Sequence, residues 1–344
     1  MRRLLAIIFY LCIFGGLAEI ATRYYFSGIG PLLVESNDPN VLGGLMPNQS
    51  IVLRPILPMI PLTRVNVNQD GLRVGGVGEV ESTKESVAST SQIFCIGDEV
   101  TFGLGVADEE AYPTLLRGLL KTRANQTHQV FNAGVPGFGP KEEQTFLKSK
   151  KHLVSASTII LQISSDDLSG TQGTPSRFAY EGKAGDLPAW QMLIGKNLAL
   201  YNGYRFLRKQ ASLNHLNNSP ERVIQSPVDF FGQPRDLSQL MREWQKTGDL
   251  WQDLCLSAKR NNKNIVVVVV PHARQMKDGA GVDLYQNPIK QIFSRECQVG
   301  VVDPLDKFRQ ASQNTPLYFE NTNVLNSAGN LLLAKILAQE IYPQ

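Results

Sequence analysis

The stretch that decides the fold is Ile93-Phe94-Cys95-Ile96-Gly97-Asp98-Glu99-Val100-Thr101-Phe102-Gly103-Leu104-Gly105. An apolar run of strand type ends in a Gly-Asp pair, and a turn rich in threonine and glycine then leads into a helical pattern. In an α/β protein, the carboxyl end of such a strand is where ligands and catalytic groups collect. Glu99 lies at the tip of that turn and is therefore the first candidate functional residue.

Strand and helix patterns alternate from this stretch to the end of the chain. The run 265–270 is almost entirely valine and isoleucine, which is typical of a parallel strand buried on both faces. The other predicted strands are 92–96, 128–132 and 158–163, and the predicted helices are 111–122, 141–150, 190–210, 236–259 and 327–341. The pattern predicts a doubly wound parallel sheet in a three-layer α/β/α domain over residues 91–344. A helical insertion is expected at about 169–264.

The sequence of the N-terminus predicts a membrane anchor. Two arginines precede an uncharged apolar run from Leu4 to Ala18, and Tyr24-Tyr25-Phe26 supplies aromatic side chains suited to a membrane interface. We therefore predict a transmembrane helix over 1–26, with its N-terminus cytoplasmic and the main domain periplasmic or extracytoplasmic. Gly16-Leu17-Ala18 is a possible cleavage site, so a removed signal peptide is the alternative.

Residues 27–90 are rich in proline and glycine, and this composition predicts an extended, loop-rich segment. Within it, 64–73 looks like a strand that closes in an Asp-Gly turn. The segment is expected to pack on the main domain or to space it from the membrane. The apolar run 193–207 within the insertion is expected to cover the sheet, or alternatively to form a partner surface.

The composition argues against a nucleic-acid partner and against a zinc site. A net charge of +3, with no long basic run interleaved with aromatic residues, argues against a nucleic-acid partner. The four cysteines contain no C-x-x-C pair and the four histidines are scattered, which argues against a zinc site. Cys255 and Cys297 are the only pair considered for a disulfide bridge. No cofactor is expected.

Four blocks of the main domain, in this order, resemble the SGNH/GDSL hydrolase family, particularly its membrane-tethered bacterial members. The blocks are Ile-Gly-Asp-Glu-Val-Thr-Phe-Gly at 96–103, Asn-Ala-Gly-Val-Pro-Gly at 132–137, Ser-Ser-Asp-Asp at 164–167 and Val-Leu-Asn-Ser-Ala-Gly at 324–329. The resemblance covers about residue 30 to the C-terminus. It implies that the fold predicted above is SGNH-hydrolase-like and flavodoxin-like, with a hydrolase site at the carboxyl ends of the strands.

The same resemblance implies that the catalytic groups have been replaced. Glu99 stands at the position of the nucleophilic serine, Val324 at that of the histidine, Asn321 or Thr322 at that of the aspartate, and Asp166 at that of the oxyanion-hole asparagine. Only the oxyanion-hole glycine, Gly134 or Gly137, is retained. Without a nucleophile and a base no covalent acyl route remains. We therefore predict a protein that is not an enzyme and does not hydrolyse esters by this mechanism.

Other uses of these residues remain open. Asp98, Glu99, Asp166 and Asp167 could form an acidic cluster that holds Ca²⁺ or Mg²⁺, or a carboxylate pair for acid and base catalysis. The simpler interpretation is that Asp98 and Asp167 cap loops, while Glu99 and Asp166 face solvent or pair with an arginine. His272, in the loop after the 265–270 strand, could replace the missing base, although a solvated loop histidine is the simpler expectation.

The functional hypothesis is a structural or scaffold subunit of a membrane or envelope protein complex, with other membrane protein subunits as its partners. The first alternative is a binding module for an acylated glycan in the vestigial pocket. The second is a metal-dependent or carboxylate hydrolase that uses Glu99 and Asp166.

Overall fold

The structure is a computed structural model of the chain. It describes residues 2–25, 44–53, 59–75, 91–123, 128–149, 157–165, 167, 198–201, 203–204, 237–276 and 286–341. The described strands are β1 (Gln49–Leu53), β2 (Thr63–Val67), β3 (Ser91–Gly97), β4 (His128–Gly134), β5 (Thr158–Ile163), β6 (Asn264–Val269) and β7 (Val301–Val302). The described α-helices are α1 (Arg2–Tyr25), α2 (Glu99–Phe102), α3 (Tyr112–Arg123), α4 (Pro140–Ser149), α5 (Leu237–Arg260), α6 (Gln286–Ile292), α7 (Leu305–Ser312) and α8 (Ser327–Ile341).

The main domain is built on a five-stranded sheet in the order β4-β3-β5-β6-β7. Every neighbouring pair in this sheet is parallel. Counted from β3, the order is 2-1-3-4-5, the flavodoxin-like arrangement, which confirms the predicted fold class. The chain leaves β3 toward one side of the sheet and later returns to its other side. The strand order therefore reverses between β3 and β5, and their carboxyl ends border the crevice where such folds bind ligands.

The sheet is covered on both faces, as three layers require. Alternate residues of β3 point to opposite faces, so Phe94 and Ile96 enter one apolar cluster while Ile93 and Cys95 enter another. The first cluster includes residues of α4, α5 and the β1–β2 hairpin, and the second includes residues of α3 and α8. This two-sided burial explains why β3, β5 and β6 read as continuous apolar runs in the sequence.

The segment before the main domain forms an antiparallel β1–β2 hairpin. Its inward-facing side chains, Ile51, Leu53, Val65 and Val67, are each no more than 5% exposed and belong to the same cluster as Phe94. Residues 44–75 therefore contribute to the hydrophobic core of the main domain.

Helix α1 agrees with the predicted N-terminal apolar helix. Over Arg2–Tyr24 it is long and apolar enough to cross a membrane, and none of its most apolar window is buried by the rest of the chain. A signal sequence has the same length and composition, so the choice of an anchor and the orientation of the chain remain predictions.

Three elements of the C-terminal half were not predicted, namely α6, α7 and β7. Helices α6 and α7 are short, and β7 has only two residues, so none gives a long periodic pattern.

Cys255 and Cys297, the one pair considered from the sequence, form a disulfide with their Cα atoms 5.7 Å apart. Most of the expected 190–210 helix lies outside the described residues, which there include only 198–201 and 203–204.

Candidate functional site

Asp98 organises the carboxyl edge of the sheet at the crevice between β3 and β5. It is the N-cap of α2, where its Oδ1 accepts a hydrogen bond from the Val100 backbone N–H at 2.7 Å. Its Oδ2 accepts from the Ser164 hydroxyl and, at 3.4 Å, from the Gln162 side-chain amide. Asp98 is 3% exposed. The expectation that Asp98 caps a loop is confirmed.

Gln162 joins β5 to the turn that follows β3, a role that sequence reasoning missed. Its Oε1 accepts hydrogen bonds from the Asp98 backbone N–H at 3.2 Å and from the Thr101 hydroxyl at 3.0 Å. Thr101 is also 3.1 Å from the buried Tyr112 hydroxyl. The available signal was a lone amide within the apolar strand Thr-Ile-Ile-Leu-Gln-Ile, because a buried polar side chain needs partners.

Glu99 lies inside the domain and is 6% exposed. Its Oε2 accepts the backbone N–H of Gly137 at 3.1 Å. Gly137 has a φ of 82°, a conformation that glycine adopts without strain. The expectation that Glu99 points to solvent or pairs with an arginine was wrong, because the turn directs its carboxylate to a backbone amide. That amide is one of the two considered for an oxyanion hole.

Gly134, the other retained glycine, packs at the end of β4 directly against α2. A Cβ at this position would collide with the backbone of Thr101 and Phe102. The N–H of Gly134 donates to Asn132 Oδ1 at 3.0 Å, and the Asn132 side-chain amide donates to the Phe102 carbonyl at 3.3 Å. The second sequence block therefore holds α2 in place.

The proposed acidic cluster is only partly within the described residues. Asp167 Oδ2 accepts the backbone N–H of Ser164 at 2.8 Å, which confirms that Asp167 caps the loop after β5. Asp166 lies outside the described residues. Among the residues that the structure describes, no group of three or more His, Cys, Asp or Glu side chains is placed to hold a metal ion.

The loop 321–324, where the resemblance places the catalytic histidine, contributes Val324 to the hydrophobic core. Val324 is 1% exposed and lies in the same cluster as Phe102, while its backbone N–H donates to Thr322 Oγ1 at 3.1 Å. Asn321 is exposed with a φ of 55°, which suits a turn. The side chains of this loop that are buried thus serve packing and turn geometry.

His272 is buried, at 6% exposure, and the expectation of a solvated histidine was wrong. Its Nδ1 accepts the backbone N–H of Arg274 at 3.1 Å, and its Nε2 lies 2.6 Å from the side-chain nitrogen of Asn323. Burial, assisted by the Arg274 charge, lowers the pKa of His272 to about 3. The ring is therefore neutral at physiological pH and a weak base.

Glu143, on α4, is a buried acid that the sequence did not reveal. It is 1% exposed, and no described residue donates a hydrogen bond to either carboxyl oxygen. Burial, with added repulsion from Asp98 and Glu142, raises its pKa well above the ordinary value. The periodic apolar pattern of a helix does not identify such a residue, because only the packing of α4 shows that this face is covered.

The fold resembles those of solved hydrolases at low sequence identity. An acetylxylan esterase from Geobacillus stearothermophilus is 15% identical with a TM-score of 0.43, covering 75% of this chain and 98% of that one. An α/β-hydrolase enzyme from the metagenome of Lake Arreo is 14% identical with a TM-score of 0.44, covering 74% and 97%. A lipolytic G-D-S-L family protein from Veillonella parvula is 13% identical with a TM-score of 0.41, covering 74% and 99%. No protein-family model matches the sequence, and no curated protein matches it.

These structures are an acetylxylan esterase, an α/β-hydrolase enzyme and a lipolytic G-D-S-L family protein, and this finding contradicts the prediction that this chain is not an enzyme. The prediction inferred inactivity from the residues at positions 99, 166, 321 and 324. Replacement of those groups removes one serine mechanism, but it does not exclude other chemistry at the same edge of the sheet. The general statement was therefore wrong.

Proposed function

We propose that this chain is a membrane-anchored, extracytoplasmic subunit of an envelope protein complex, with α1 as its anchor and other membrane proteins as its partners. The observation that carries the proposal is α1. Its apolar window is not buried anywhere by the rest of the chain. An apolar helix of this length needs lipid or other membrane helices around it.

The buried disulfide supports an extracytoplasmic domain. Cys255 on α5 and Cys297 after α6 are both fully buried beside Trp251 and Phe293. Structural disulfides of this kind form and persist in oxidising compartments and are rare in the cytosol. With two arginines at the start of α1, the positive-inside rule gives the same orientation.

The carboxyl edge supports a rigid domain that presents its surface to partners. Asp98, Glu99 and Asp167 each accept hydrogen bonds from groups of the same edge, and Gln162 joins two strands there. Such connected polar groups hold one arrangement of the loops.

Purification of the full chain in mild detergent tests the proposal. We expect a particle larger than one chain in its micelle, containing another membrane protein at fixed stoichiometry. In the matched control, an unrelated single-span helix replaces residues 2–25, which shows whether the sequence of α1 contributes to assembly. Recovery of the monomer alone, with α1 intact by mass spectrometry, would contradict the proposal.

Hydrolysis at the carboxyl edge is the second candidate, and it is favoured by the buried Glu99 carboxylate beside the Gly137 amide. Hydrolysis of para-nitrophenyl acetate by the same preparation tests it. If Glu99 takes part, Glu99→Gln lowers the rate, and the exposed neighbour Glu109→Gln does not. Equal rates in the two variants would remove this candidate.

A further inference from the structure

A contact between distant parts of the described chain joins α1 to the segment of residues 198–201 and 203–204, called here the 198–204 segment. Glu19 Oε1 accepts the backbone N–H of Ala199 at 2.8 Å, and Glu19 Oε2 accepts that of Leu200 at 2.9 Å. Arg23 Nε donates to Oε1 from the same helix at 2.9 Å. These donors hold the carboxylate, whose side chain is 15% exposed.

The position of Glu19 along α1 places this contact near the outer boundary of a bilayer. At about 1.5 Å rise per residue, Glu19 lies about 24 Å along the helix from Arg3. The hydrocarbon core is about 30 Å thick, so the carboxylate lies just inside the far boundary when Arg3 marks the near one. An ionised group at that depth requires partners, and the two amides and Arg23 supply them.

The side chains that surround this contact suit lipid better than water. Leu198 is 43% exposed, Leu200 39% and Tyr204 59%, and on α1 the neighbouring Tyr24 is 83% exposed. Aliphatic side chains at the membrane boundary, with tyrosines at the level of the headgroups, are typical of elements that lie in the interface. The sequence expectation that this segment covers the sheet does not account for these exposed side chains.

We infer that the 198–204 segment is a second membrane contact, in which Glu19 fixes the segment at the exit of α1 and Leu198, Leu200 and Tyr204 lie in the lipid interface. The inference rests on the anchor in the proposed function. It is independent of whether a protein partner exists. The occupant is lipid because the exposed leucines lie beside the two backbone amides that bind Glu19, which is on the helix that is the proposed membrane anchor.

Site-specific labelling of the full chain in phosphatidylcholine vesicles tests the inference. In a Cys12→Ser background, Leu200→Cys carries an environment-sensitive fluorophore, and Leu198→Cys is the second variant if the first does not fold. Leu256→Cys on α5 is the matched control, because Leu256 is equally apolar and 42% exposed but lies on the main domain. We expect quenching by nitroxide-labelled lipid at position 200 and quenching by iodide at position 256. Adding Glu19→Ala should shift the label at position 200 from lipid quenching to iodide quenching.

Each other outcome overturns the inference in a recognisable way. Iodide quenching at position 200 with Glu19 intact means that the segment is in water, and shielding from both quenchers means that protein covers it, whether a partner subunit or a second copy of the chain. Mass spectrometry of the purified chain separates these results from failure of the anchor, because a chain that lacks α1 overturns the proposed function as well. Failure to find a protein partner leaves the quenching result unaffected.

Discussion

Arg73 brings its charge into the interior of the domain and satisfies it there. Its Nε pairs with Asp108 Oδ1 at 2.7 Å, and its two terminal nitrogens donate to the carbonyls of Phe102, Gly103 and Val106. The guanidinium also lies over the Phe102 ring, 4.8 Å from its centroid. One side chain from the segment before the main domain therefore closes the turn that follows α2.

Arg73→Ala should lower the free energy of unfolding by about 3–5 kcal/mol, because Asp108 and three carbonyls lose a buried cation. Chemical denaturation measures the change. Arg64→Ala is the control on the same hairpin, where an exposed arginine donates to Ser50 at 3.3 Å and its loss should cost less than about 0.5 kcal/mol. Equal costs for the two variants would show that the buried ion pair is not formed.

Glu143 should make the domain less stable as the pH rises. Its pKa is raised in the folded state, so the folded protein holds the proton more tightly than the unfolded chain. Stability is therefore full below the ordinary glutamate value of 4.5 and declines as the pH rises toward the raised folded value. Glu143→Gln should remove this decline, so the variant should gain stability over the wild type at pH 8 and match it near pH 4. Denaturation at both pH values is the measurement, and an unchanged difference between the proteins would contradict the assignment.

At the scale of elements, the disulfide ties α5, which packs on the sheet, to the residues after α6. The two cysteines are 42 residues apart in sequence, so the bridge closes a long loop of the unfolded chain. A disulfide that closes such a loop raises the free energy of unfolding by about 2–4 kcal/mol. The elements on either side of the bridge are otherwise joined mainly by apolar contacts around Trp251 and Phe293, whose ring centroids lie 5.5 Å apart.

Replacing Cys255 and Cys297 by serine together should lower the free energy of unfolding by about 2–4 kcal/mol and abolish its dependence on reductant. Denaturation with and without dithiothreitol measures both effects. The Cys12→Ser control should retain the reductant dependence, because Cys12 is an exposed free cysteine on α1. A wild-type protein that is insensitive to reductant after unfolding and refolding would contradict the bridge.

At the scale of the whole molecule, residues 44–75 and the main domain should unfold as one unit. The hairpin places Val65 and Leu72, both almost fully buried, in the same cluster as β3, and Arg73 pairs with Asn132 of β4 as well as with Asp108. A chain that starts at residue 44 should therefore show one cooperative transition. A chain that starts at residue 91 should lose stability or fail to fold, because it exposes this cluster and leaves Asp108 buried without its cation.

Thermal unfolding followed by near-ultraviolet circular dichroism compares the two truncated chains. Both lack α1, so the comparison isolates the contribution of the hairpin segment. Equal melting temperatures would show that the main domain does not depend on residues 44–75.

The sequence by itself determined four of the five described strands of the parallel sheet, the helices α3, α4, α5 and α8, and the apolar N-terminal helix. Two-sided burial imposes continuous apolar runs on β3, β5 and β6, and these runs are visible in the sequence without knowledge of distant contacts. Asp98, Glu99 and Asp167 were also located at the site, because they closely follow the predicted ends of β3 and β5. Helix α8 was predicted with its observed bounds, since its apolar pattern follows a clear Asn-Ser start.

Only the tertiary structure decided what those side chains do. Glu99 binds the Gly137 amide, Gln162 joins β5 to the turn after β3, His272 is buried beside Asn323, and Arg73 reaches Asp108. Each contact joins residues more than 30 positions apart or depends on which face of an element is covered. Hydrophobic periodicity indicates which residues are buried, but it does not indicate which polar groups bind one another. Buried polar groups need hydrogen-bond partners, and only the tertiary structure shows which partners they have.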